Sequence, residues 1–131
     1  MTDAVAEVVL DASALLAILL GEPGGEVVRP HLLGAVMSAV NYSEVLDRTA
    51  RLTGSLESAR RNVDRQRIEV VPFDAEQAAV AASLVPTTRT YGLSLGDRSC
   101  LALGVSRGAT VLTADQVWAK LNLDVPIVII R

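Results

Sequence analysis

The stretch VVLDASALL, residues 8–16, joins two apolar runs through a single acidic residue. Its first part is short and rich in valine, which predicts a buried strand. The second part continues from Ser13 to Leu20, is apolar on nearly every side and ends before Gly21, which predicts a buried helix. Asp11 lies where the strand ends and the helix begins. A buried strand that leads directly into a buried helix is typical of α/β proteins with parallel sheets.

The rest of the chain repeats this alternation of short strands and helices. The predicted strands are Val5 to Asp11, Ala35 to Ser38, Ile68 to Val71, Thr110 to Leu112 and Pro126 to Ile130. The other predicted helices are Asn41 to Leu52, Ser55 to Arg65, Ser94 to Arg107 and one that follows an Asp74 N-cap paired with Gln77. Pro86 to Tyr91 is predicted to be a loop. We expect one domain over residues 1–131, an α/β sandwich with a mainly parallel sheet of about five strands.

Three further acidic residues occupy positions like that of Asp11, at the end of a predicted strand or the start of a predicted helix: Glu44, Asp97 and Asp115. The carboxyl ends of parallel strands share one edge of a sheet, so these side chains are expected to converge there. Two carboxylates about 4 Å apart repel by roughly 4 kcal/mol at an effective dielectric constant near 20. Four together therefore require protons or a cation.

The expected cation is Mg²⁺ or Mn²⁺, because all the candidate ligands are oxygens. Zinc is disfavoured, since His31 and Cys100 are the only histidine and cysteine and lack the spacing of a zinc site. Each acid also has a purely structural interpretation. Asp11 and Asp115 could cap helices, Asp97 could complement a helix dipole, and Glu44 could occupy the third position of a helix capped by Asn41.

Composition narrows the classes of function. Half of the residues are hydrophobic, yet no apolar run reaches the roughly 18 residues of a membrane span, so we expect no membrane partner. The lone cysteine cannot form an internal disulfide and no signal-peptide pattern opens the chain, so a cytoplasmic protein is expected. The net charge of −3 argues against a nucleic-acid partner. Against this stands a central cluster of arginines, Arg48, Arg51, Arg60, Arg61, Arg65 and Arg67, which is either a solvated helical face or a phosphate-binding surface.

Four short motifs, taken in order, carry a family resemblance over nearly the whole chain: VLDAS at 9–13, Asn41 with Glu44, LSLGD at 93–97 and LTAD at 112–115. Together they resemble a PIN domain, and more narrowly the VapC-type toxin of a VapBC toxin–antitoxin pair. The resemblance implies a three-layer α/β/α fold, a metal-dependent endoribonuclease, inhibition by a VapB-like antitoxin and a homodimer. No base-reading residue is implied.

The resemblance maps Asp11, Glu44, Asp97 and Asp115 onto an acidic quartet, with Ser13, Asn41 and Thr113 in support. Asp11 and Asp97 are the first choice as direct metal ligands, with Glu44 as a ligand or as an orienting group for water. Asp115 is assigned to a second metal site or an outer position. Thr113 is expected to orient water or contact phosphate, and the metal to activate water for phosphodiester hydrolysis.

Two other functions remain open from the sequence. The quartet could receive arginines from a bound protein in a module without catalysis. Less favoured is a receiver-like signalling domain phosphorylated on Asp11, because the only lysine, Lys120, follows the fourth predicted strand. The sequence also predicts Trp118 and Cys100 to be buried and His31 to be incidental.

Overall fold

The structure, a computed structural model, describes residues 6–131 of the chain. These residues form a five-stranded sheet in the order β3-β2-β1-β4-β5, and every neighbouring pair is parallel. The strands are β1 (Val8–Leu10), β2 (Ala35–Ser38), β3 (Glu69–Val71), β4 (Thr110–Thr113) and β5 (Ile127–Ile129). Each lies within or close to a predicted strand. Val5, the predicted start of the first strand, lies outside the described residues.

In the described part of the chain, seven α-helices and three 3₁₀ helices connect the strands. The α-helices are α1 (Ala12–Leu19), α2 (Gly25–Val28), α3 (Ala39–Thr53), α4 (Leu56–Asp64), α5 (Ala75–Ser83), α6 (Val85–Thr88) and α7 (Leu95–Arg107). The 3₁₀ helices are Arg29–Gly34, Arg89–Tyr91 and Gln116–Lys120. Among residues 6–131, none of the helices combines the length and the apolar character needed to cross a bilayer.

The helices cover both faces of the sheet, which confirms the predicted three-layer α/β/α architecture. Val8 and Leu10 of β1 point into a core shared with α1, α2, α3 and α4. Val9, between them, points into a second core shared with α5 and α7. This alternation follows from the two-residue period of a strand. β1 is buried on both faces because it is the central strand of a parallel sheet covered by helices.

Two local predictions are wrong, and one helical segment was not predicted. Pro86 to Tyr91 is helical rather than a loop, because Pro86 lies in the first turn of α6, where its missing N–H is not needed. α3 begins at Ala39, not Asn41, because the side chain of Ser38 accepts a hydrogen bond from the Val40 N–H and caps the helix. The segment from Gly25 to Gly34, for which no helix was predicted, contains α2 and a 3₁₀ helix.

The fold places β1 and β4 side by side with Leu10 opposite Leu112. Both strands therefore end at the same edge of the sheet, and α1 begins at that edge directly after β1. α3 starts there too, directly after β2. The sheet thus gathers the residues that follow these strands, as the sequence predicts.

Candidate acidic site

The four predicted acids line one pocket of about 270 Å³ at this edge of the sheet. Its lining consists of Asp11, Ala12, Ser13, Leu16, Asn41, Glu44, Asp97 and Asp115. Asp11 is buried, Asp97 is half-buried, and Glu44 and Asp115 are exposed. The pocket therefore has one carboxyl at its base and others around its opening.

Asp11 is held by three hydrogen-bond donors. Its Oδ1 accepts from the Ser13 hydroxyl at 2.6 Å and from the Ala14 N–H at 2.8 Å, the second of which makes Asp11 the N-cap of α1. Its Oδ2 accepts from the hydroxyl of Thr113. The capping role and a place in the pocket thus coexist, and the carboxyl is fixed in one orientation.

Thr113 and Ser13 join the ends of β1 and β4 through this carboxyl. The Ser13 Oγ accepts from the Ala114 N–H at 2.9 Å, and the Thr113 Oγ1 accepts from the Asp115 N–H at 3.0 Å. Thr113 is fully buried, and its expected role in orienting water or contacting phosphate stays a prediction. Its hydroxyl donates to Asp11, which lines the pocket, whereas Thr113 itself is not a lining residue.

The pKa of Asp11 is raised from 3.8 to about 6. Burial is the main cause, because it removes the charged carboxylate from water. The hydrogen bonds from Ser13, Thr113 and Ala14 favour the charged form but offset only part of this cost, and the negative charge of Asp97 raises the pKa further. A cation beside Asp11 would reverse the balance.

Glu44 is positioned by Asn41, which is buried and spans two helices. The Nδ2 of Asn41 donates to the Glu44 Oε1 at 2.8 Å and to the Gly96 carbonyl at 3.0 Å. The sequence suggested that Asn41 caps a helix at this point, but it does not cap α3. Its side chain instead links α3 to the start of α7. Its Oδ1 is buried and has no hydrogen-bond partner within residues 6–131.

Gly96 is a site residue that the sequence reasoning missed. A Cβ at this position would lie 2.5 Å from the Glu44 Oε2 and 2.8 Å from its Cδ, so only glycine leaves room for the carboxylate where it lies. Gly96 stands in the first turn of α7, where glycine weakens a helix relative to alanine. A glycine at this helical position was therefore the signal in the sequence that another group packs closely against the first turn of α7.

Asp97 and Asp115 each use one oxygen to cap a helix. The Asp97 Oδ2 accepts from the Ser94 N–H at 3.0 Å, and the Ser94 hydroxyl accepts from the Asp97 N–H at 3.1 Å, a reciprocal capping box. The Asp115 Oδ1 accepts from the Val117 N–H at 3.1 Å. The structural interpretations of both acids are therefore correct, but each carboxylate keeps a second oxygen outside its cap.

The raised pKa of the Cys100 thiol indicates that three of the carboxylates lie close together. The thiol is fully buried, as predicted, and burial raises its pKa well above the ordinary value. The charges of Asp11, Asp97 and Glu44 raise it further, in that order. All three carboxylates therefore lie within electrostatic reach of one buried atom.

The candidate ligand atoms in the pocket are carboxylate, hydroxyl and amide oxygens. These are the atoms that Mg²⁺ and similar cations bind in proteins. Within residues 6–131, however, no three His, Cys, Asp or Glu side chains are already gathered in an arrangement that could hold a metal ion. The capping bonds of Asp97 and Asp115 give a physical reason, because they hold those carboxylates at their own helices. Mg²⁺ tolerates this, since it usually keeps several waters and binds one or two carboxylates directly.

Other residues singled out in the sequence lie outside this pocket. Trp118 is buried in the core beneath α7, as predicted, and its Nε1 has no partner within the described residues. Lys120 is exposed and does not line the pocket, which leaves a receiver-like site without its lysine. His31 is exposed in a 3₁₀ helix, and none of the central arginines lines the pocket.

Solved structures of toxin–antitoxin complexes share this fold. VapBC2 from Rickettsia felis, bound to a DNA fragment from its promoter, matches with a TM-score of 0.71 at 13% identity, over 92% of this chain and 96% of the other. DNA-bound VapBC from Salmonella typhimurium gives 0.71 at 17% identity, over 94% and 97%. VapBC-5 from Mycobacterium tuberculosis gives 0.59 at 22% identity, over 98% and 99%. At sequence identities of 13% to 22%, the similarity to these structures shows a shared fold.

A search of curated proteins finds no significant match. The family model for the PIN domain, in contrast, matches residues 8–122. That range starts with β1 and includes all four acids of the pocket. The chain therefore belongs to the PIN domain family.

Proposed function

We propose that this protein is a metal-dependent endoribonuclease that acts as the toxin of a toxin–antitoxin pair. The observation that carries the proposal is the acidic pocket, in which Asp11 is buried close to Asp97 and which no arginine, lysine or histidine of residues 6–131 lines. Membership of the PIN family and the fold shared with VapBC structures support it.

The proposed metal ligands are carboxylate oxygens that keep a free lone pair beside their hydrogen bonds, which in Asp11 is Oδ2. Asp11 and Asp97 are the first choice as direct ligands of Mg²⁺ or Mn²⁺, with Glu44 as a ligand or as an acceptor for bound water. Asp115, at the opening of the pocket, is assigned to an outer position. A divalent cation bound there would lower the pKa of its bound water and would neutralise charge on the scissile phosphate.

The protein's own contribution is to hold these groups in fixed places. Ser13 and Thr113 occupy both oxygens of Asp11, so its carboxylate cannot rotate away from the pocket. Asn41 holds Glu44 against Gly96, next to Asp97 in the sequence. A catalytic group that is already positioned loses little orientational freedom when the substrate arrives.

The same pocket suits inhibition by a basic partner segment. The solved structures that share this fold include VapBC complexes, and we infer a VapB-like antitoxin for this chain. Its arginine would form charge-assisted hydrogen bonds with the free carboxylate oxygens and compete with the cation. We also propose a cytoplasmic homodimer within that complex.

A second function is favoured by one observation. Since no three acids in the described part of the chain are gathered around a common point, the pocket could receive a partner's arginine without holding a metal. In that case the chain is a binding module without catalysis. Such a module would form a tight complex and show no metal-dependent cleavage after the partner is removed.

The test is cleavage of total RNA by partner-free protein with Mg²⁺ or Mn²⁺, and with chelator. Asp97→Asn is compared with Asp124→Asn, a matched control at an exposed acid outside the pocket. We expect discrete fragments that require both metal and Asp97 and that Asp124→Asn leaves unchanged. Full metal-dependent cleavage by Asp97→Asn would refute the assignment, whereas no cleavage by any form with a tight antitoxin complex would favour the binding module.

A further inference from the structure

A second pocket, of about 410 Å³, lies farther along α1 and α3, towards the ends of these helices. Its apolar side is formed by the end of α1 and by α3, with Ile18, Leu19, Leu20 and Leu52. Its polar side carries two arginines, Arg29 and Arg65. Among residues 6–131, no acidic residue lines it, and its two arginines make the pocket positively charged although the whole chain carries a net charge of −3.

Some polar groups of this pocket are bonded within it, since Arg65 donates to the Asn62 Oδ1 at 3.3 Å and the Thr53 hydroxyl donates to the Thr49 carbonyl at 3.0 Å, but the pocket keeps unpaired donors. Neither arginine forms an ion pair with a carboxylate of residues 6–131, where the arginines of the salt bridges are Arg51, Arg60, Arg61 and Arg107. Thr49, on the pocket lining, is 3% exposed and its hydroxyl has no hydrogen-bond partner in that range. A buried hydroxyl without a partner costs free energy, and a polar group bound in the pocket would offset that cost.

The pocket and the acidic site are built on the same two helices. On α1, Leu16 lines the acidic site and Leu19 lines the second pocket. On α3, Glu44 lines the first and Leu52 the second, a separation of about 12 Å at the rise of an α-helix. A few nucleotides of an extended single strand span that distance.

We propose that this pocket binds one nucleotide of the RNA substrate, a short distance along the strand from the bond that is cut. The inference rests on the proposed nuclease function. The pocket would contact an RNA base, which none of the acidic motifs is expected to do. Arg29 and Arg65 hold the phosphate, as guanidinium groups do in pairs of charged hydrogen bonds. The base lies on the apolar side formed by α1 and Leu52, and Thr49 with the amides of Asn62 and Gln66 contacts its edge.

The chemistry favours RNA over an apolar peptide as the occupant. An aliphatic side alone would suit either, but two arginines without a lining acid select a ligand with a repeating negative charge. An acidic segment of a protein partner is the competing occupant, and the experiment separates it from RNA.

The test maps cleavage sites in a randomised RNA library and measures KM and kcat on the preferred sequence. Arg65→Gln should raise KM by roughly tenfold with little change in kcat, the loss expected for one charged hydrogen bond. Thr49→Val should weaken the preference at one nucleotide position while the melting temperature stays unchanged or rises, because it removes a buried unpaired hydroxyl. Arg48→Gln, an exposed arginine outside the pocket, is the matched control.

Binding of fluorescein-labelled RNA by the Asp97→Asn protein separates this inference from the nuclease function. RNA binding that depends on Arg65 and Thr49 supports the pocket even where no cleavage occurs. Cleavage with KM and preference unchanged in Arg65→Gln and Thr49→Val would overturn the pocket assignment and leave the nuclease intact. Loss of antitoxin binding in these variants, with RNA binding unchanged, would also overturn it and assign the pocket to a protein segment.

Discussion

Asp11 shows how one residue serves the fold and the site together. Its carboxyl caps α1 and joins the ends of two strands, yet it is buried next to Asp97 and its pKa is raised to about 6. A carboxyl with a raised pKa favours the folded state most when it is protonated. Its contribution is therefore fully present below pH 3.8 and is lost as the pH rises through about 6.

This predicts a pH-dependent advantage for Asp11→Asn in the metal-free protein. The asparagine cannot ionise, so the variant should gain about 3 kcal/mol of unfolding free energy relative to the wild type between pH 4 and pH 8. Urea unfolding of both proteins in chelator, over this pH range, measures the difference. Parallel pH curves for the two proteins would show that the buried carboxyl does not titrate as described.

Local contacts at the residue scale could be predicted from the sequence, and distant ones could not. The capping positions of Asp11, Asp74 and Asp115 follow from short polar side chains just before helices. The role of Asn41 does not, since its second partner is the carbonyl of Gly96, 55 residues away. The hydrogen bond from Thr113 to Asp11 likewise joins residues 102 positions apart and depends on packing that the sequence does not reveal.

At the scale of elements, α7 connects helix stability to the acidic pocket. Its N-cap Ser94 and its third residue Asp97 hold each other through two hydrogen bonds, so the same bonds start the helix and orient the carboxylate. α4 begins with a comparable cap, in which the Ser55 hydroxyl accepts from the Ser58 N–H at 3.2 Å. That helix contributes no residue to the pocket.

The two caps give a matched pair of variants. Ser94→Ala and Ser55→Ala should each cost about 1 kcal/mol of unfolding free energy, the usual loss for a serine N-cap. Only Ser94→Ala should also weaken Mn²⁺ binding, because it frees Asp97 to change orientation. Denaturant unfolding and Mn²⁺ titration of both variants measure the two effects, and equal metal affinities would show that the cap does not position Asp97.

Elements were predicted best where one local signal decides their boundary. β1 and α7 follow from apolar runs with clear ends, and α7 stops at Gly108 in the left-handed conformation. α3 was placed two residues late because both Ser38 and Asn41 are good N-caps, and tertiary packing buries Asn41. The short α2 and α6 have four residues each, too few for a periodic pattern to appear.

At the scale of the whole molecule, the parallel sheet makes the pocket. Acids separated by more than a hundred residues meet because β1 and β4 are neighbours and end at one edge. The alternation of strands and helices in the sequence predicts that the acids lie at this edge of the sheet. It does not predict how closely their side chains approach one another. Within residues 6–131 the acids share a pocket without forming a closed metal cage, so metal binding has to be measured.

Calorimetric titration of the partner-free protein with Mn²⁺ at pH 7.5 tests the central claim most directly. We expect saturable binding in the wild type and in Asp124→Asn, and its loss or a large decrease in affinity in Asp97→Asn and Asp11→Asn. Absence of Mn²⁺ binding to the folded wild type, or equal binding by all four proteins, would contradict a catalytic metal site in the acidic pocket.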